Sequence, residues 1–176
     1  MKYYSGTGDS GYTSIANGRV PKNNPIINAL GDIDELSAFL GNADSQIKDE
    51  DINDLVKKIE SALYRISAEL SGYLKSGKPD KTTKPIADTD VALLEDALAL
   101  YTKKLDDLTR FIRPSGSYAA TLINVCRAVT RRTERSMVES GAASEATLKY
   151  INRLSSLLFV LFRYINASEG FEEECF

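Results

Sequence analysis

Histidine and tryptophan are absent from the 176 residues, and cysteine occurs twice. Without histidine there is no imidazole general base, no Ser-His-Asp or Cys-His nucleophile system, and no His-ligated zinc. Cys126 lies in a helical pattern and Cys175 is the second-last residue, so the two do not form a metal-ligand spacing, and a reduced, cytoplasmic protein is expected. No apolar run approaches the roughly 20 residues needed to cross a membrane. The amino terminus also lacks the basic-then-apolar layout of a signal peptide. A net charge of −3 argues against a general polyanion binder, and hence against nucleic acid, so any anion site must be a local patch.

What is present describes one soluble globular domain, with 43% hydrophobic and 27% charged residues and enough chain to bury a core. Residues 1–24 read as a glycine-rich loop, 25–166 as a helical bundle and 167–176 as an exposed acidic tail. Asn24 followed by Pro25 is a helix start. Ile26, Leu30, Ile33, Leu36, Leu40, Ala43 and Ile47 then mark one face of a helix running to about residue 47. Ile52, Leu55, Val56, Ile59, Leu63, Ile66 and Leu70 mark a second. The Lys-, Gly- and Pro-containing stretch over 74–88 reads as the longest internal loop and a mobile one. Asp88 or Thr89 caps a third helix, with Val91, Leu94, Leu98, Tyr101, Leu105 and Leu108, which "RPSG" at 113–116 interrupts. A fourth runs from about Ser117 to Ser140 and stops at Gly141. The fifth begins near Ser144 and carries Ile151, Leu154, Leu158, Leu161 and Ile165. No strand periodicity or hairpin chemistry is expected. The fold class is therefore all-α, an up-and-down bundle of five helices.

Three stretches can carry chemistry. In "CRAVTRRTER", residues 126–135, Arg127, Arg131, Glu134 and Arg135 share roughly one quarter to one third of the helix circumference, with Arg132 pointing away. Three guanidiniums on one strip repel each other unless something negative sits opposite, and Glu134 answers only part of that charge. The strip is either a solvated face with i,i+4 pairs or a polyphosphate or carboxylate site using bidentate donors. In the fifth helix, Asn152 and Arg153 interrupt an oily pattern, with Ser155 and Ser156 beyond them. They form a polar strip, a register-setting asparagine or a ligand contact. In the first helix, "GDIDEL" places Asp32, Asp34 and Glu35 on an acidic outer face, with Asp34 at the edge of the apolar stripe. No second pair of carboxylates converges with them in a glycosidase spacing. The opening "SGTGDSGYTS", residues 5–14, matches neither a Walker loop nor a dinucleotide fingerprint, but its backbone N–H groups and hydroxyls can surround phosphates. Lys22 adds a point charge.

Taken in order, TGDxGxT, RxPKxxP, GxxDEL, F-I-x-P-x-G, CRAVxRRxER and Y-[IL]-N-R-L-S-x-L-L-F resemble the PduO-type ATP:cob(I)alamin adenosyltransferases, from about residue 3 to residue 165. The resemblance implies a five-helix bundle assembled as a homotrimer with active sites between subunits. It also implies transfer of the 5′-deoxyadenosyl group of ATP, accompanied by magnesium, to the cobalt of cob(I)alamin, with release of triphosphate. No direct protein cluster for a metal is implied, and a reductase and an adenosylcobalamin-dependent acceptor enzyme are the implied partners.

By the same resemblance, Ser5, Gly6, Thr7, Gly8, Thr13, Ser14 and Lys22 surround the phosphates, and Arg131, Glu134, Arg135 and Asn152 hold ATP. Asp34 and Arg127 form an acid–arginine pair between neighbouring subunits beside the corrinoid. Phe111 lies under the corrin ring and displaces the lower axial base. Arg131, Arg127 and Asp34 are the implied catalytic residues. The chain departs from the family pattern at Gly6, where a basic residue is usual, and at Arg113, Ser115 and Ser156. The Gly6 and Ser156 departures keep open a non-catalytic corrinoid carrier or sensor on the same scaffold, and the arginine face also fits an RNA- or partner-binding bundle. Cob(I)alamin is itself a strong nucleophile, so the chemistry requires no protein base and is compatible with the absence of histidine.

Overall fold

Local capping chemistry explains where the helices begin. Asn24 Oδ1 accepts from Ile26 N at 2.9 Å with Pro25 at the first helical position, and Asp49, Ser117 and Ser144 cap the second, fourth and fifth helices in the same way. Each such cap satisfies an amide that the helix itself leaves without a partner. The computed structural model describes residues 4–76 and 83–176. Its helices are α1 (Pro25–Asp44), α2 (Glu50–Leu70), α3 (Asp88–Thr102), α4 (Tyr118–Ser140) and α5 (Glu145–Ser168), with a single 3-10 turn at Tyr73–Lys75. Gly141, at φ 61°, closes α4 as expected.

α1 packs against α2 and α4, and α5 packs against α4 and α3. The Arg65–Asp90 ion pair connects α2 to α3. Every apolar position expected on α2 is buried, as are Ile151, Leu154, Leu158, Leu161 and Ile165 of α5. Each fully buried Leu or Ile contributes about 1.5–3 kcal/mol, so this shared core holds the helices in register. Among the described residues no helix is long and apolar enough to cross a membrane.

Four expectations change. α1 ends at Asp44 and not near residue 47, although Ile47 remains buried in the core. α3 ends at Thr102, so Leu105 and Leu108 belong to the α3–α4 connection. Asp106 and Asp107 would place negative charge at the negative end of a longer helix, and Lys104 Nζ settles over the Tyr101 and Tyr164 rings at 4.9 and 4.8 Å instead. The α3 cap is Ala87, not Asp88 or Thr89; Asp90 reaches back to accept from Ala87 N at 2.9 Å. The expected mobile loop over 74–88 includes residues 77–82, which lie outside the described residues.

The fourth change is a β-hairpin. β1 (Tyr12–Ile15) and β2 (Gly18–Pro21) pair antiparallel, with Thr13 opposite Val20 and Ser14 opposite Arg19. Ala16 and Asn17 form the turn and Gly18 follows at φ +129°, a backbone region that glycine enters freely. The strands are only four residues long, so an alternating pattern barely registers. Ala16 N donates to Ser71 O at 3.1 Å, which ties the hairpin to the end of α2. Residues 171–176 are exposed, and their backbone pairs with the α3–α4 connection through an Ile112–Cys175 bridge.

Candidate active site

The arginine strip of α4 faces a groove built by three helices. Arg127 and Arg131 line a hollow of about 430 Å³ with Leu98 and Thr102 of α3 and Ser155, Ser156, Phe159 and Val160 of α5. A second hollow of about 600 Å³ shares Arg127 and Phe159 and is otherwise lined by residues 108–112, including Phe111. The two hollows meet at Arg127 and Phe159, with Arg131 added on one side and Arg110 and Phe111 on the other. The Arg127 guanidinium lies 5.9 Å from the centre of the Phe159 ring, and its Nε donates to Asn124 Oδ1 at 2.7 Å. Burial, and secondarily the charge of Arg131, holds the Arg127 pKa below its ordinary value.

Among the described residues none of Arg127, Arg131 and Arg135 forms an ion pair. Arg135 Nη1 donates only to the Arg131 carbonyl, at 3.0 Å. Glu134 does not neutralise the strip: its Oε1 accepts from Asn152 Nδ2 at 3.0 Å, across α4 and α5. Asn152 Oδ1 in turn accepts from Arg153, whose Nε donates to Glu95 of α3 at 2.8 Å. This polar chain ties Asn152 to Glu134 of α4 and, through Arg153, to α3. A cluster of uncompensated guanidiniums in a groove is arranged to receive a multiply charged anion.

Arg132 has the opposite environment. It pairs with Asp32 at 3.0 Å and with Glu35, and Ser136 Oγ also donates to Asp32. Asp32 and Glu35 are thus not a plain solvated face but part of the α1–α4 contact. Asp34 is exposed on α1 and is not brought to Arg127 within the chain. Phe111 is 88% exposed.

The glycine-rich loop is organised by a residue that sequence reasoning left unassigned. Arg19 Nη2, from β2, donates to Thr7 O at 2.5 Å and to Ser10 Oγ at 3.1 Å, and its guanidinium lies 5.7 Å from the Tyr12 ring centre. Ser5 and Thr7 share a 2.8 Å hydroxyl contact. Lys22 N donates to Gly11 O at 2.8 Å, and the Lys22 ammonium lies so close to Gly8 that a Cβ there would meet it at 3.3 Å. Gly6, at φ 72°, and Gly11, at φ 79°, make the bends. Thr13 and Ser14 lie on β1, and Ser14 is exposed. Loop and hairpin thus present two cations and several hydroxyls together. Among the described residues, no hydrogen bond or ion pair joins this unit to Arg127, Arg131 or Arg135 of the same chain.

The family model for cobalamin adenosyltransferase matches residues 3–165. The chain belongs to the cobalamin adenosyltransferase family. A cobalamin adenosyltransferase of Cupriavidus metallidurans is 41% identical over 171 residues, covering 93% of this chain and 88% of that one. A corrinoid adenosyltransferase of Bacillus subtilis is 34% identical, covering 97% and 89%. Among solved structures, a variant PduO-type ATP:corrinoid adenosyltransferase from Lactobacillus reuteri complexed with cobalamin and ATP superposes with a TM-score of 0.91. It is 27% identical and covers 99% of this chain and 96% of that one. For a member of this family, the features that sequence reasoning missed are Arg19, Asn124 and Phe159. Arg19 could have been found from its place in RxPKxxP, and Asn124 from its i−3 spacing to Arg127. Phe159 is one apolar residue among many on α5 and carried no signal.

Proposed function

We propose that the protein transfers the 5′-deoxyadenosyl group of ATP to the cobalt of cob(I)alamin, giving adenosylcobalamin and triphosphate. The observation that carries this reading is the groove itself, with Arg127 and Arg131 lining one hollow and Phe111 lining the adjoining one, in a chain of this family. Cob(I)alamin supplies the nucleophile: its cobalt electron pair forms the bond to ribose C5′ as the C5′–O bond to triphosphate breaks. The protein therefore needs no acid or base. Its task is to hold two large reactants in line and to stabilise charge growing on the leaving group.

Arg131, Arg135 and Lys22 neutralise triphosphate, and magnesium enters with ATP as part of the substrate. Ser5, Gly6, Thr7, Gly8, Thr13 and Ser14 supply backbone amides and hydroxyls around the phosphates. Arg19 holds that loop in shape and provides a cation near Gly6, where the family usually has a basic side chain. Glu134 and Asn152, already bonded to each other, orient the nucleoside.

The site is completed between subunits of a homotrimer. Two observations support this: among the described residues no hydrogen bond or ion pair joins the phosphate loop to the arginine strip of its own chain, and Asp34 is exposed. Phe111 lies under the corrin ring, where it displaces the lower ligand and keeps water from replacing it. Loss of that ligand makes cobalt easier to reduce to the nucleophilic state. Product then passes to an adenosylcobalamin-dependent acceptor, and a reductase supplies Co(I).

The test is an assay with chemically reduced cobalamin and ATP, following adenosylcobalamin by absorbance and triphosphate by chromatography. Equimolar formation of both is expected. Tight binding of both substrates without turnover under strong reductant would replace this reading with a corrinoid carrier. For Phe111, the expectation is that Phe111→Ala binds cob(II)alamin but loses the four-coordinate spectrum; retention of that spectrum would remove the assigned role.

A further inference from the structure

Phe111 projects from the α3–α4 connection with 88% of its surface exposed, so packing of its own ring does not fix its position. The backbone around it is held instead by the segment after α5. Phe176 N donates to Phe111 O at 3.1 Å, Arg113 N donates to Glu174 O at 2.7 Å, and Ile112 bridges Cys175 antiparallel. Arg113, one of the departures from the family pattern, places its guanidinium 5.4 Å from the Phe176 ring centre. The connection thus borrows a short strand from residues 174–176.

That strand is anchored by a buried charge. The Arg163 side chain, on α5, is 9% exposed. Its Nε donates to Glu173 Oε1 at 2.5 Å and its Nη2 to Glu173 Oε2 at 3.0 Å, while Nη2 also donates to Asp106 O at 2.8 Å. One guanidinium therefore grips both the start of the connection and the segment that pairs with Phe111. One turn further on, Asn166 grips the far end: its Nδ2 donates to Ser115 O and its Oδ1 accepts from Ser117 N, both at 2.9 Å. Its backbone carbonyl accepts from Phe171 N at 2.9 Å, where the segment turns back. A bidentate arginine–carboxylate pair with its guanidinium buried is directional and holds geometry as well as energy.

We propose that Arg163 and Glu173 are positioning residues for the corrinoid half of the reaction, clasping residues 171–176 across the connection so that Phe111 is presented at a fixed height. The inference rests on Phe111 serving the corrinoid face, as read above. Among the described residues, the arginine strip, Asn152 and the phosphate loop share no hydrogen bond with the clasp, so its effect is expected on the corrinoid side.

The experiment compares Glu173→Gln, Phe176→Pro and Phe111→Ala in the full chain. Phe176→Pro removes the amide that bonds to Phe111 O and sits on an exposed residue, so it leaves no buried charge unpaired if Glu173→Gln folds poorly. Both clasp variants are expected to raise the KM for cob(I)alamin about tenfold and to lower the four-coordinate fraction of bound cob(II)alamin, with the KM for ATP changed less than about twofold. The proposal is overturned if both leave the corrinoid KM and spectrum unchanged while Phe111→Ala alters them, or if both KM values rise together. If Phe111→Ala itself changes nothing on the corrinoid side, the reading beneath the proposal fails instead.

Discussion

Two faces of one helix treat arginine in opposite ways. On the face of α4 turned to α1, Arg132 meets Asp32, Glu35 and Ser136. On the other face, Arg127, Arg131 and Arg135 have no acidic partner among the described residues. Folding alone favours the first arrangement, since adjacent like charges repel and burial lowers the Arg127 pKa. On the proposed function, the second arrangement is the one a polyphosphate completes. The contrast then sets an arginine paired within the fold against three left for a ligand, although all four lie within nine positions.

The sharpest way to break this comparison is to remove one arginine from each face. Arg131→Ala is expected to lower kcat/KM by about 10²–10³, the usual loss for a donor aimed at developing charge. Its Tm should not fall, because the guanidinium carries no internal ion pair. A clear drop in Tm together with retained activity would reverse the assignment. Next in size is Lys22→Ala, which should raise the KM for ATP about tenfold, equivalent to one charge-assisted contact. Mixing Lys22→Ala with Arg131→Ala subunits sharpens the point: if each site takes Lys22 and Arg131 from different subunits, random assembly leaves about a quarter of the sites intact. No recovery above either parent would place both residues in one chain's site.

Smaller effects belong to the structural face. Arg132→Ala should cost about 1 kcal/mol, because the guanidinium and Glu35 are each close to half exposed and screened. That corresponds to about 2–4 °C in Tm for a domain of this size, with kcat within about threefold. The Arg65–Asp90 pair provides a control far from the groove. Burial opposes ionisation of Asp90, but hydrogen bonds from Arg65 and from Ala87 N outweigh it and hold the carboxyl below its ordinary value. A depressed carboxylate contributes stability above the unfolded pKa near about 4 and loses it as pH falls through the folded value. Asp90→Asn should therefore lower the urea midpoint at pH 7, and the gap to wild type should close below about pH 4. A gap independent of pH would point to lost packing rather than lost charge.

Much of the bundle was legible in the residues because its signals are local. A cap such as Asn24-Pro25, the stop at Gly141 and the three-four spacing on α2 need no partner to be recognised. The arginine strip was also visible, since helical geometry alone puts Arg127 and Arg131 side by side. What escaped depends on distant chain. Nothing local says that Arg132 will meet Asp32 one hundred residues away or that Phe159 will close the apolar half of the groove. The hairpin escaped for a different reason: Asn17-Gly18 is present, but strands of four mostly exposed residues barely alternate. Leu105 and Leu108 keep the helical spacing after α3 has ended at Thr102, so spacing alone makes the helix look longer than it is.

At Gly116 the φ of +125° aims the missing Cβ at the side chain of Asn166, leaving no space for one. Because Asn166 bonds to the residues on both sides of that glycine, neither position can change alone. A methyl group at 116 would push out the amide, and a smaller residue at 166 would give up both of its bonds to the backbone. Trimming Asn166 would not free position 116 either, because that φ strains any L side chain whatever the space, so the glycine stays required even when its partner changes.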